Sequence, residues 1–320
     1  MFASDPAAVA RAPPGHRSGG PLPETLSPGE TVGETPLVPL RAVAREVGGE
    51  FELWGKLESA NPSGSVKDRA ASAIVRAALA DGRLARGTLL VDATSGNTGV
   101  AYARLGAQLG FAVRLYVPRN ANPARLASMR EFGAEVVLTD PAEGTDGARR
   151  EAAAFVDGEP AHRFFADQYS NPENPRAHYT GTGPEIWRQS RGAVSHLVAG
   201  VGTGGTISGA GRYLKERRPT IRVVAVEPTG PMHGLEGLKH LPTAVCPATY
   251  EARVPDETVR IDTEEAIATA RRVLREEKLA VGRSAGAAIS AAVGLGARTP
   301  GAFVVVIVPD AGSQVPGDER

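Results

Sequence analysis

Leu89-Leu90-Val91-Asp92-Ala93-Thr94-Ser95-Gly96-Asn97-Thr98-Gly99 reads as a strand, a tight polar turn and a helix that continues through the small residues Val100 to Leu109. Thr94, Ser95, Asn97 and Thr98 gather hydroxyls, an amide and free backbone donors at a helix N-terminus, where a carboxylate is best held. Asn97 can also hydrogen-bond a phenolic oxygen lying over the turn. An ordinary N-cap accounts for one Ser or Thr, but not for four polar groups around two glycines.

The same strand, turn and helix recur downstream. His196-Leu197-Val198-Ala199-Gly200-Val201 leads through Gly202-Thr203-Gly204-Gly205-Thr206 into a helix around Ile207 to Lys215. Glycines admit close approach of a phosphate, and successive N–H groups with Thr hydroxyls can surround its oxygens. The G-x-G-x-x-G spacing of a dinucleotide site and the Gly-Lys-Ser/Thr of a nucleotide loop are both missing, so a phosphate without a nucleotide fits better. Further on, Gly282-Arg283-Ser284-Ala285-Gly286-Ala287-Ala288 is again a turn into an apolar helix. Ser284 is either its N-cap or a neutral partner for the nitrogen of a pyridine ring.

Upstream lies Asn61-Pro62-Ser63-Gly64-Ser65-Val66-Lys67-Asp68-Arg69. This loop delivers Lys67 to the first turn of a long Ala-rich helix, where the macrodipole disfavours an added positive charge. The setting suits an amine that must become neutral, attack an aldehyde and later move protons. The other lysines are only Lys56, Lys215, Lys239 and Lys278. Ordinary helix-start chemistry with a surface lysine is the competing reading.

Strands are expected at Phe51 to Leu57, Thr88 to Ala93, Val113 to Val117, Glu135 to Leu138, His196 to Val201, Arg222 to Glu227 and Ala302 to Val308, with helices such as Arg69 to Ala80 and Glu264 to Lys278 between them. This is a doubly wound α/β pattern with parallel sheets. Asn171 to Arg176, with its Asn-Pro-Glu-Asn-Pro, is expected to break any regular element and mark a boundary. It divides a smaller α/β domain, 61–171, from a larger one made of 29–60 and 172–320. The four turns fall in both, so a ligand touched by all of them lies in the cleft between. Met1 to about Pro28, rich in Pro, Ala, Gly and Ser, reads as a flexible tail without a signal peptide.

The four turns, in this order and at about this spacing, resemble the cysteine synthase family of fold-type II enzymes that use pyridoxal 5′-phosphate. Supporting matches are Val32 to Leu37, Gln168 with Asn171 to Asn174, His178-Tyr179 with Gly183-Pro184-Glu185, and Val308-Pro309-Asp310. The resemblance covers roughly residues 30 to 312. It implies that Lys67 binds the cofactor aldehyde, Asn97 the phenolic oxygen, Gly202, Thr203, Gly204, Gly205 and Thr206 the phosphate, and Ser284 the ring nitrogen. Thr94, Ser95, Asn97, Thr98 and Gln168 would hold the substrate carboxylate.

The reaction so implied is a β-replacement. Lys67 takes the α-proton of an activated serine, the β-leaving group departs, a sulfur nucleophile adds, and Lys67 returns the proton. O-acetylserine is the first choice and O-phosphoserine the second. Lys239, in His233-Gly234-Leu235-Glu236-Gly237-Leu238-Lys239-His240, falls near the place where relatives using O-phosphoserine meet the phosphate. Against that stands a plain exposed loop lysine. The histidines of this segment lack metal-site spacing, so no metal is expected.

Condensation of serine with homocysteine, as in cystathionine β-synthases, is an enzyme alternative. A cofactor-binding scaffold acting through protein interaction is an alternative of another class. A homodimer, and a serine acetyltransferase or sulfur-carrier protein as partner, complete what the resemblance implies. The chain departs from the family after Pro309-Asp310-Ala311-Gly312, where Ser313-Gln314-Val315 follow, and at Arg283.

Composition agrees. With 320 residues, 42% apolar and 22% charged, the chain can bury a large core, and a net charge of +0 with scattered charges gives no nucleic-acid surface. No stretch of about 18 apolar residues occurs, so no membrane span is expected. Cys246 is the only cysteine, which excludes an intrachain disulfide and is compatible with the cytoplasm.

Overall fold

The computed structural model describes residues 31–45, 48 and 50–312. The expected tail, Met1 to Pro28, and the departure at Ser313 to Val315 lie outside them. In chain order the elements are β1 (Leu37–Pro39), α1 (Arg41–Arg45), β2 (Glu52–Leu57), α2 (Lys67–Ala80), β3 (Leu89–Ala93), α3 (Asn97–Leu109), β4 (Ala112–Pro118), α4 (Pro123–Glu131), β5 (Glu135–Thr139), α5 (Gly144–Gly158), β6 (Arg163–Phe165) and α6 (Glu173–Ala177). A π-helical turn, His178–Thr182, then leads to α7 (Gly183–Gln189), β7 (His196–Gly200), α8 (Gly205–Arg217), β8 (Arg222–Pro228), β9 (Glu257–Ile261), α9 (Thr263–Glu277), α10 (Arg283–Ala297) and β10 (Phe303–Val308).

Two sheets result. One has four parallel strands in the order β5-β4-β3-β6. The other has six in the order β1-β2-β10-β7-β8-β9, all parallel except β1, which runs antiparallel to β2. Parallel neighbours need crossover helices, and helices then cover both faces of each sheet. The central strands are accordingly apolar on both sides: Val304 to Val308 of β10 and Val223 to Val226 of β8 are buried. One core cluster on Ile74, Tyr102, Leu115 and Met129 and another on Val91, Tyr116 and Ala152 pack about the smaller sheet. Two more, around Val198, Val306 and Ile289 and around Leu197, Ile207 and Val305, pack about the larger. This is the α/β class with two doubly wound, mostly parallel sheets.

The segment Asn171 to Arg176 differs from expectation. It does not break structure, because Glu173–Ala177 is helical. Pro172 and Pro175 sit where the first turn has no intrahelical N–H bond to lose, so neither interrupts it. β1, β6 and β9 also escape the sequence pattern. All three are edge strands. β1 and β6 have three residues each, and β9 alternates half-buried with exposed positions.

The loop before α2 joins the two sheets. Val66 N donates to Pro309 O at 2.8 Å, and Ser65 forms an antiparallel bridge with Asp310, just past the end of β10. The turns after β3 and β7 and the start of α10 therefore face one cleft.

Candidate active site

Lys67 is the first residue of α2. Asp68 ties the loop down: its carboxylate accepts from Ser63 Oγ at 2.6 Å and from the amides of Ser63 and Ser65. The Lys67 side chain is half-buried, opening into a cavity whose empty volume, including the part open to solvent, is about 550 Å³. Burial pushes its amine below the ordinary lysine range; Asp310 and Glu58 oppose this, and Arg125 adds to it. Asn97, Gly202, Thr203, Gly204, Thr206 and Ser284 line the same cavity.

The turn after β3 is built by its own hydroxyls. Thr94 Oγ1 accepts from the amides of Gly96 at 3.0 Å and Gly99 at 3.2 Å, which fixes the entry into α3. A Cβ on Gly96 would stand 2.4 Å from Arg125 Cδ, so only glycine lets that arginine cross the turn. Thr98 Oγ1 donates to Gln168 Oε1 at 2.7 Å, and Gln168 Nε2 donates to Ala93 O at 2.8 Å. Thr94, Thr98 and Gln168 are buried and Ser95 is half-buried. These four surround the turn without lining the cavity, whereas Asn97 does line it.

The turn after β7 has no room for side chains. Cβ atoms would meet Gly237 O at 2.1 Å from Gly202, Tyr250 Cβ at 2.5 Å from Gly204, and Asn174 Oδ1 at 2.0 Å from Gly205. Gly204 also has φ of +81°. Asn174 Nδ2 donates to Thr203 Oγ1 at 3.0 Å. Gly205 packs on Asn174 and does not line the cavity.

Three groups were not legible as site residues. Asp310 lines the cavity opposite Lys67 and accepts from Asn97 Nδ2 at 2.6 Å and Arg125 NH2 at 3.4 Å. Arg125 also pairs with Glu236 at 2.7 Å, a second lining residue. His178, buried in the π-helical turn, stands 3.2 Å from Thr206 Oγ1 and 2.9 Å from Thr182 Oγ1. Burial, with the charges of Arg69 and Lys67, drives its pKa well below the ordinary histidine range, so the ring is neutral. The Asp after Val308-Pro309 was the one available signal for Asp310. His178 stood only among the supporting matches, with no role given to it, and nothing local marked Arg125.

Lys239 lies outside the cavity lining and is not the exposed lysine of the simpler reading. It is buried, its Nζ 2.6 Å from Asp146 Oδ1 and 5.0 Å from the centre of the Tyr169 ring. His233 and His240 bond locally, to Leu235 N and Thr243 Oγ1. Among the described residues no group of three or more His, Cys, Asp or Glu could hold a metal ion. Cys246 is an exposed free thiol and Arg283 is exposed. No helix among the described residues is long and apolar enough to cross a membrane.

Comparison with known proteins agrees with this geometry. The family model "Pyridoxal-phosphate dependent enzyme" matches residues 29–310. A cysteine synthase of Aquifex aeolicus is 42% identical over 288 residues, 88% of each chain. Cysteine synthase B of Salmonella typhimurium is 40% identical over 285 residues, 89% of this chain and 92% of that one. The crystal structure of a cysteine synthase from Entamoeba histolytica superposes with a TM-score of 0.84 at 35% identity, covering 91% of this chain and 88% of the other.

Proposed function

The chain belongs to the pyridoxal-phosphate dependent enzyme family, and on that premise we propose that its cavity at Lys67 carries out the cysteine synthase reaction. An activated L-serine, O-acetylserine before O-phosphoserine, exchanges its β-leaving group for a sulfur nucleophile and becomes L-cysteine.

The observation that carries this reading is the meeting of an amine lowered by burial, Gly202 and Gly204 of the turn leading into α8, and Ser284 in one cavity. These residues fit the cofactor. The glycine turn leads into the N-terminus of α8, whose free N–H groups suit a phosphate. Lys67 supplies the amine for the aldehyde, Asn97 an amide for the phenolic oxygen, and Ser284 a neutral partner for the ring nitrogen. When bound, the cofactor draws electrons from the substrate's α-carbon and so acidifies its proton.

The rest is the work of the chain's own groups. Lys67 Nζ, its pKa lowered because desolvation disfavours the charge, receives the α-proton and later returns it. The turn Thr94 to Thr98 turns the positive end of α3 toward the substrate carboxylate, with Asn97 facing the cavity and Thr94, Ser95 and Thr98 shaping the turn behind it. Gln168 holds Thr98 in place for that task. Gly237 and Leu238 line the same cavity.

Lys239 is already paired with Asp146, and that pairing favours O-acetylserine, whose ester brings no phosphate dianion to neutralise. The same reading takes 61–171 and 29–60 plus 172–320 as the two domains, supported by their separate sheets. It also takes a homodimer, serine acetyltransferase or a sulfur-carrier protein as partner, and a cytoplasmic location, which a chain with one cysteine suits. The test is incubation of the cofactor-loaded protein with O-acetylserine and sulfide. Cysteine is the expected product, and its absence overturns the reading.

A further inference from the structure

Arg69 lies two residues after Lys67 and, at about 100° per residue, points from roughly the opposite side of α2. Every nitrogen of its guanidinium is hydrogen-bonded. Nε donates to Glu58 Oε2 at 2.6 Å and NH2 to Glu58 Oε1 at 2.8 Å. NH1 donates to Glu185 Oε1 at 2.7 Å and NH2 to Glu185 Oε2 at 2.7 Å, with Thr35 Oγ1 at 3.1 Å. Lys56 Nζ completes the group, 2.7 Å from Glu185 Oε2 and 2.6 Å from Thr35 O. Two cations and two carboxylates are thus buried together, with side-chain exposures of 0% to 7%.

The surrounding backbone is shaped for this cluster. A Cβ on Gly33, whose φ is +94°, would stand 2.9 Å from Arg69 NH1 and 2.9 Å from Glu185 Oε1, and one on Gly181 3.1 Å from Arg69 NH1. Burial alone would raise the Glu185 carboxyl, yet the bonds and charge of Arg69, then Lys56, hold it down at about 2. The Glu185 carboxylate is therefore held in its charged form by the cations it pairs.

Stability alone does not account for such a group, because buried ion pairs are often matched by apolar residues of similar volume. What an apolar cluster lacks is direction. The planar fork of arginine fixes both its carboxylates and its own helix in rotation and in depth. Glu58 comes from the segment after β2. Glu185 comes from α7, which continues directly from the π-helical turn whose His178 meets Thr206 of the glycine turn.

We propose that Arg69 is a positioning residue that fixes Lys67 Nζ relative to the Gly202–Thr206 turn, through Glu58 on one side and Glu185 with the His178–Thr206 contact on the other. The proposal rests on the reading of Lys67 as cofactor-binding base. Loss of the fork leaves the phosphate turn intact but lets the amine drift.

The test compares Arg69→Lys, which keeps the charge and loses the fork, with Glu277→Gln. The latter weakens the remote hydrogen bonds that the amides of Ala42 and Val43 donate to Glu277 Oε1, by putting a neutral amide oxygen in place of a carboxylate. Melting temperature, pyridoxal phosphate affinity, and kcat and KM are measured for each. Arg69→Lys is expected to lower kcat by about 10- to 100-fold, the scale of a misplacement near 1 Å, with KM changed far less. Its cofactor dissociation constant is expected to rise at least about tenfold on the same argument, with Glu277→Gln close to wild type in both at whatever melting temperature it shows. Wild-type kcat and cofactor affinity in Arg69→Lys, or losses in both variants that simply track their melting temperatures, overturn the proposal. If Arg69→Lys does not fold, Glu58→Gln, which keeps the Glu185 fork, is read by the same criteria. A wild type that holds the cofactor but makes no cysteine counts against the reaction, while cofactor affinity in the variants still decides the role of Arg69.

Discussion

Asn97 Nδ2 donates to Asp310 Oδ2 at 2.6 Å, joining the turn after β3 to the segment just past β10 across the cleft that holds Lys67. The contact brings a negative charge to the lysine. Asp310 opposes the burial that lowers the Lys67 amine. Replacing Asp310 with Asn removes that support, so the Lys67 pKa falls further and the amine becomes neutral at lower pH. The pH profile for capture of pyridoxal phosphate, followed by absorbance, is expected to move to lower pH in Asp310→Asn. An unchanged profile, or one moved to higher pH, contradicts the assignment.

Thr98→Ala leaves the buried Gln168 Oε1 without its partner at 2.7 Å, while Nε2 still holds Ala93 O. An orphaned buried acceptor costs about 1–3 kcal/mol. KM for O-acetylserine is expected to rise by about tenfold or more, the size of one such interaction, while cofactor affinity stays near wild type. Equal losses in both would show that the turn serves the fold and not the substrate.

Gly202→Ala pushes a methyl to 2.1 Å from Gly237 O, a backbone atom that cannot rotate away. Overpacking of this kind costs about 1–3 kcal/mol and displaces the loop at Gly237, which lines the cavity. The variant is expected to melt lower and to lose pyridoxal phosphate on dialysis. Full retention of cofactor by a folded Gly202→Ala contradicts the role given to this turn.

Asp92, buried in β3 just before the turn Thr94 to Thr98, is pushed up to about 8 by burial, with Asp167 adding and the amide of Ala93 opposing. The unfolded chain releases this proton near the ordinary 3.8, so the folded protein binds more protons between about pH 4 and 8. Stability from this group is therefore full below about pH 4 and is lost as pH rises toward 8. Asp92→Asn removes that slope, and its melting temperature relative to wild type is expected to climb between pH 5 and 8. Parallel melting curves across that range contradict it.

Much of this was legible in the chain because the four turns are local. Glycine spacing, hydroxyls and a helix start lie within a few residues of one another, and the apolar runs before them can only be buried strands. What escaped depends on distance along the chain. Lys56, Glu58, Arg69 and Glu185 look like scattered surface charges until β2, α2 and α7 bring them together. Asp310 gains its meaning from Asn97, 213 residues away in sequence. β6 has three residues and no periodicity of its own, and α6 hides behind prolines that break helices elsewhere but not in a first turn.

The central claim is that Lys67 is the cofactor's point of attachment. The most direct test is borohydride reduction of the protein loaded with pyridoxal phosphate, followed by digestion and mass mapping. The account predicts one pyridoxyl group on Lys67 in the wild type and none in Lys67→Ala. A label on Lys56 or Lys239, or a label that survives in Lys67→Ala, would contradict it.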